Sequence, residues 1–169
     1  MISGADALEH LVSGRRQAVR ILAIDYGLRR MGLAVSDLLG ITAQGLETLE
    51  HSTRDDDLKK LTRLVADYEV SRVIVGNPIH LDGGVTAMSE KAARFAEQLR
   101  RRLSCSVELW DERLSTAQAE TTLREMDVKR STRRKSIDRM AATLLLQSYL
   151  DCHPVHTPQE ENCSPGGNP

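Results

Sequence analysis

The sequence predicts an α/β protein built on a mixed five-stranded sheet, with an antiparallel run of three strands first and helices flanking the whole. Three observations carry that reading. Apolar runs of strand length open the ordered part of the chain in quick succession, at VRILAID (19–25), MGLAVSD (31–37) and ITAQGLETLE (41–50). From residue 54 onward, helical and strand periodicities alternate instead. The last periodic segment, IDRMAATLLLQSYL, is apolar nearly all round, as a largely buried helix would be.

Taken in order, VRILAID ends on Asp25 and is followed by the turn signal Tyr26-Gly27, which makes it a strand. Its neighbours 31–37 and 41–50 follow after short connections, the signature of an antiparallel meander. RDDDLKKLTRLVADYEV then places Leu58, Leu61, Leu64, Val65 and Tyr68 at helical spacing. Asp55, Asp56 and Asp57 suit the positive N-terminal end of that helix. SRVIVGNP reads as a buried fourth strand closed by Gly76 and Pro78. A second helix is expected over roughly 86–103, with Arg94, Arg100 and Arg102 on its exposed side, and SVELW is the fifth strand. Helices over 115–126 and 137–150 complete the series.

The organisation expected is a short extension over 1–18, one domain over 19–151 and a disordered tail over 152–169. Pro, Gly, Asn, Gln and Glu dominate that tail and apolar periodicity stops. With 169 residues, 40% of them hydrophobic, one core is affordable and a second domain would be cramped. The net charge of -1 gives no global bias towards nucleic acid, so any such role has to rest on local patches. One Trp, one Phe and three Tyr are too few for an aromatic stacking platform. Cys105, Cys152 and Cys163 are odd in number and unpaired in spacing, which fits a reducing compartment. No apolar run nears the roughly 20 residues that span a bilayer, and Asp6, Glu9 and His10 interrupt any signal-peptide stretch. A soluble cytoplasmic protein is expected.

Three carboxylates sit where carboxylates are costly. Asp25 ends the most apolar strand, where it is either a turn-former or a site residue. Asp111 and Glu112 stand at the end of the fifth strand, the kind of strand end that lines crevices in α/β sheets; taken alone, a solvated helix start with Ser115 or Thr116 as cap is the plainer reading. Asp138 shares a helix face with Ala141, Ala142 and Leu145, where a lone charge needs a positive partner. A first-turn acid capped by Ser136 is the plainer account of it. The small Ala141 and Ala142 would let that helix approach the sheet and carry Asp138 towards the strand ends. Gathered at one point, such carboxylates need cations, and hard oxygen ligands favour Mg2+ or Mn2+. Two ions about 4 Å apart could clamp a phosphodiester.

The stretches ILAIDYGLRRMGLAVSD (21–37), VIVGNPIHLDGG (73–84), ELWDERLSTAQAE (108–120) and KSIDRMAATLLLQSYLD (135–151) together make the chain resemble the YqgF family, also called RuvX. The family comprises Holliday junction resolvases and pre-16S rRNA nucleases, and the resemblance covers about residues 19–151. It implies a ribonuclease H-like fold, a metal-dependent endonuclease and Asp25, Glu112 and Asp138 as the acidic, metal-holding set. Asp111 rivals Glu112 for the middle role. Related resolvases take an acid from the fourth strand; that strand here ends in Gly76-Asn77-Pro78, so the middle carboxylate has to come from the fifth. The roles implied are cytoplasmic processing of the 5′ end of pre-16S rRNA and, as the alternative, cleavage of branched DNA.

The basic run VKRSTRRKSIDR holds Lys129, Arg130, Arg133, Arg134, Lys135 and Arg139 and leads straight into Asp138. It is either a solvated loop or a phosphate-holding surface, to which Arg29, Arg30 and Arg113 could add. Gly83-Gly84 before a helix offers backbone N–H groups to a phosphate or is a plain turn, and His80 beside it is a weak candidate for proton transfer. Cys152, His153, His156 and Cys163 fit no zinc spacing. Two other classes compete: a non-catalytic nucleic-acid-binding module, and an actin-like nucleotide-binding domain opened by IDYG. The latter normally needs two such domains, and this chain has room for one. A junction resolvase calls for a homodimer to make paired cuts; an rRNA nuclease does not.

Overall fold

The structure, a computed structural model, describes residues 20–79, 84–111 and 132–154, and of residues 132–136 the backbone only. The expected meander is there. Strand β1 (Arg20–Tyr26) pairs antiparallel with β2 (Arg30–Ser36). The third expected strand is two short ones, β3 (Ala43–Gly45) and β4 (Leu49–Glu50), both antiparallel to β2. Residues 46–48 separate them, so the sheet has six strands rather than five. Helix α1 (Arg54–Asp67) leads to β5 (Val70–Asn77), and helix α2 (Ala87–Arg102) to β6 (Ser106–Asp111). Both β5 and β6 run parallel to β1, giving the order β3-β2-β1-β5-β6. Helix α3 (Thr132–Cys152) closes the described chain.

The helices start where local chemistry provides a cap. Thr53 accepts from the Asp56 N–H at the head of α1, and Thr86 and Ser89 form a reciprocal capping box at the head of α2. α3 starts at Thr132, five residues earlier than expected, because nothing in Arg133-Arg134-Lys135-Ser136 breaks a helix. Ser136 is therefore inside the helix and not its cap, and Asp138 is beyond the first turn. The part of the basic run from Thr132 onward is helical rather than a loop.

Strand alternation sorts the core into two layers. Leu22, Ile24, Met31, Leu33, Val73, Val75, Val107 and Phe95 pack on the side of α1 and α2. Ile21, Ala23, Ala34 and Ile74 meet Ala142, Leu145, Leu146, Tyr149 and Leu150 of α3 on the other side. Contrary to the all-round apolar pattern, α3 buries one stripe, and Ile137 and Arg139 on it are exposed. Small residues dominate the sheet under it. This lets Gln147 reach the sheet edge, where its Oε1 accepts from the Ala43 N–H and its Nε2 donates to the Ile41 carbonyl.

The far end of α3 is anchored by Tyr149, whose hydroxyl accepts from Arg72 Nη1 at 2.5 Å and whose ring stacks on His153 and meets Trp110 edge-on. His153, one of the residues at the start of the expected tail, is thus packed against two aromatic rings. Tyr149→Phe keeps the packing and removes the acceptor, so a loss of about 1–2 kcal/mol is expected. Urea denaturation of the two proteins measures it.

Candidate active site

Asp25 is the sixth residue of β1 and has the parity of Ile21 and Ala23, so its side chain faces α3. Its antiparallel partner across the ladder is Gly32. A Cβ on Gly32 would lie 2.1 Å from the Asp138 carbonyl oxygen and 3.2 Å from the Ala142 Cβ. Backbone of α3 therefore rests directly on β2 at this point, one strand away from Asp25. Only glycine permits that approach. On the neighbouring strand β3, Gly45 makes room for the side chains of Arg139 and Thr143, each the next residue along the same two turns of α3. Ala142, fully buried, completes the contact, as the expected close approach of this helix required.

The result is that Asp138 lies close enough to Asp25 to perturb it. Burial pushes the Asp25 carboxyl up, and the negative charge of Asp138 adds to the push, taking its pKa to about 6. Asp138 is met by Arg30, the first residue of β2, with Nε 2.9 Å from Oδ2. The pair is ionic but misaligned: Oδ2 is buried and receives no hydrogen bond among the described residues. A buried carboxylate oxygen without a donor beside a second crowded carboxylate is the arrangement that a hard divalent cation relieves. Asp25 and Asp138 thus fit such an ion, although two carboxylates are fewer than a full ligand set. Among the described residues no group of three His, Cys, Asp or Glu converges.

The other expected site residues divide. Asp111 ends β6 opposite Asn77 of β5. It has the parity of Val107 and Leu109, which pack towards α1 and α2, so it belongs to the face away from Asp25. Trp110, of the opposite parity, joins the α3 layer. Glu112, Arg113, Lys129 and Arg130 lie outside the described residues, as do His80, Gly83 and the helix expected over 115–126. Arg133, Arg134 and Lys135 fall in the first turn of α3. Arg29 is exposed on the turn after Asp25. Arg30, expected on phosphate, is engaged by Asp138. At the head of α2, the Thr86 and Ser89 N–H groups are already taken by the capping box, and the Thr86 hydroxyl donates to the Pro78 carbonyl at 2.7 Å. That leaves less of this helix end for a phosphate than the glycine pair implied.

Two features escaped the sequence. Gly32 is one, although a glycine inside a strand pattern is a recognised sign of close backbone approach. The other is His51, directly after β4. Its Nδ1 lies 2.7 Å from Asp57 Oδ2 and its Nε2 lies 3.0 Å from the Gly27 carbonyl oxygen, two residues after Asp25.

Comparison with known proteins points the same way as this geometry. The model of the RuvX family, described as Holliday junction resolvase, matches residues 19–152. A protein of Geobacillus kaustophilus named "Putative pre-16S rRNA nuclease" is 48% identical over 135 residues, which cover 79% of this chain and 98% of that protein. One of the same name from Halothermothrix orenii is 45% identical over 133 residues, 79% of this chain and 95% of its own length. Among solved structures, RuvC of T. thermophilus in complex with a Holliday junction substrate superposes with a TM-score of 0.51 at 14% identity, covering 79% of this chain and 96% of that one. At that identity the likeness speaks for the fold, which is ribonuclease H-like.

Proposed function

The chain belongs to the RuvX family, and from that premise we propose that it is a metal-dependent endonuclease acting on the 5′ end of pre-16S rRNA in the cytoplasm. The observation that carries this reading is the meeting of Asp25 and Asp138, from opposite ends of the domain's sequence, over a glycine that permits nothing larger. Asp25, Asp138 and Glu112 are the residues assigned to hold Mg2+ or Mn2+. Glu112 is preferred to Asp111 because the latter has the parity of the wrong face. When bound, the metal supplies Lewis acidity to the phosphoryl group and stabilises the leaving oxygen.

The chain's own residues do the rest. Arg30 neutralises Asp138 and holds a positive group beside Asp25, where it would be placed to meet a phosphate oxygen. Arg29, Arg113, Lys129, Arg130, Arg133, Arg134 and Lys135 form the backbone-binding set, which would give affinity and salt dependence without sequence preference. No helix among the described residues is long and apolar enough to cross a membrane.

The family's description as Holliday junction resolvase favours a second reading, cleavage of four-way DNA junctions, in which a homodimer would make the paired cuts. One experiment separates the readings: purified protein is offered a precursor rRNA 5′ leader and a four-way junction side by side, with Mg2+, Mn2+ or a chelator. Chelator-sensitive cutting of the RNA, well above that of the junction, is expected. Preference for the junction would install the second reading. Binding without cutting either substrate would make the chain a nucleic-acid-binding module.

A further inference from the structure

The turn that carries Asp25 into Arg30 is held from the side opposite α3. Gly27 N–H donates to the Arg30 carbonyl at 3.1 Å, and a side chain on Gly27 would come within 2.6 Å of that oxygen, so the turn is tight. His51 fastens it twice. Its backbone N–H donates to the Arg29 carbonyl at 3.0 Å, and its Nε2 lies 3.0 Å from the Gly27 carbonyl oxygen. The same ring reaches Asp57 of α1 through Nδ1 at 2.7 Å. Tyr26 of β1 meets the ring edge-on, and Phe95 of α2 stacks behind Tyr26.

The partners dictate the protonation of that ring. A carbonyl oxygen only accepts, so Nε2 must carry a proton. An ionised carboxylate only accepts as well, so Nδ1 must carry one too. Asp57 is held as a carboxylate independently of His51: the Ser52 N–H and hydroxyl both donate to its Oδ1, at 3.1 and 3.2 Å, and it stands in the first turn of α1, at the positive end of the helix. Buried as it is, Asp57 also calls for a positive partner, and the His51 ring is the group in contact with it that can carry the charge.

We propose that His51, as an imidazolium donating from both ring nitrogens, is a positioning residue that fixes the turn over 27–30 and thereby aims Asp25 and Arg30 at Asp138. A ring with one proton can keep either Asp57 or Gly27, not both. Losing the Gly27 contact frees the segment two residues from Asp25, and with it the start of β2 that supplies Arg30. The kinetic consequence rests on the nuclease reading; the protonation state does not.

The test has two arms. Long-range 1H–15N spectra of the imidazoles in the full chain at neutral pH report directly whether each ring nitrogen bears a proton. Both nitrogens of His51 are expected protonated, and Asp57→Asn should convert the ring to the neutral form with its proton on Nε2. A neutral His51 in the wild type would overturn the proposal, whether or not any variant folds. In the second arm, His51→Phe keeps the ring packing against Tyr26 and removes both donors. With folding checked by its 1H–15N amide spectrum, it should lower kcat about tenfold while KM stays within about twofold, since aim is lost rather than substrate grip. Unchanged kcat would refute the positioning role. Absence of cleavage in the wild type would strike the nuclease reading alone, and the spectra would still judge His51.

Discussion

Asp25→Asn is expected to abolish metal-dependent cleavage, by about a thousandfold or more, and at the same time to make the metal-free protein more stable at neutral pH. The two effects have one cause. The carboxyl of Asp25 is pushed up to about 6 from 3.8, first by burial and then by Asp138. A raised acid binds its proton more tightly in the folded state than in the unfolded one. Its contribution to stability is therefore complete below about pH 4 and is lost as pH rises through about 6. A tenfold change in proton affinity is worth about 1.4 kcal/mol, so the ionised form costs the folded protein on the order of 2–3 kcal/mol at about pH 7.5. The isosteric amide carries no charge and escapes that cost. Thermal unfolding in chelator at about pH 7.5 should place the variant roughly 5–10 °C above the wild type, with the gap closing by about pH 4. Adding Mn2+ should stabilise the wild type and leave the variant unmoved. RNA affinity should be largely retained, because the phosphate contacts are proposed to come from arginines and lysines elsewhere. A variant that cut RNA at the wild-type rate would remove Asp25 from the mechanism.

Gly32→Ala is the second large effect. The added methyl would meet the Asp138 carbonyl oxygen at 2.1 Å, and that oxygen belongs to helix backbone, which cannot swing aside as a side chain tip can. Relief requires α3 to lift from β2, which opens the layer formed by Ala23, Ala34, Ala142 and Leu145. A loss of about 3 kcal/mol or somewhat more is expected, at the upper end for overpacking by a single carbon. The same displacement draws Asp138 away from Asp25, so Mn2+ affinity measured calorimetrically should fall even under conditions where the variant stays folded. Wild-type stability and affinity together would mean that α3 does not bear on Gly32 as described.

The elements driven by strong local periodicity are legible in the sequence. The helix expected over 86–103 is Ala87–Arg102, and the apolar runs around Ile24 and Ile74 are central strands of the sheet. Where signals are short or spread out, legibility fails. The single third strand is split because Ala43–Gly45 and Leu49–Glu50 are each too brief to show a period. The start of α3 reads too late because Ser136 looks like a cap, whereas the preceding basic residues continue the helix without strain. Asp138 can be suspected from the cost of a charge on an apolar face. Its neighbour Arg30 cannot be matched to it, because that pairing depends on how α3 crosses β2. The choice between Asp111 and Glu112 turns on strand parity, which only a fixed register reveals. Likewise, His51 and Asp57 are six residues apart in an unremarkable polar stretch; their tie to Gly27 exists only once the sheet has formed.

The covering of Gly32 by α3 also sets a timetable. A ribosome builds β1 and β2 early and α3 only after β6, so a partly made chain holds Asp25 without Asp138 and leaves the small-residue face of the sheet bare. Nuclease competence would then arrive abruptly, with the docking of one late helix, and a nascent chain would be harmless to the RNA of the machine producing it.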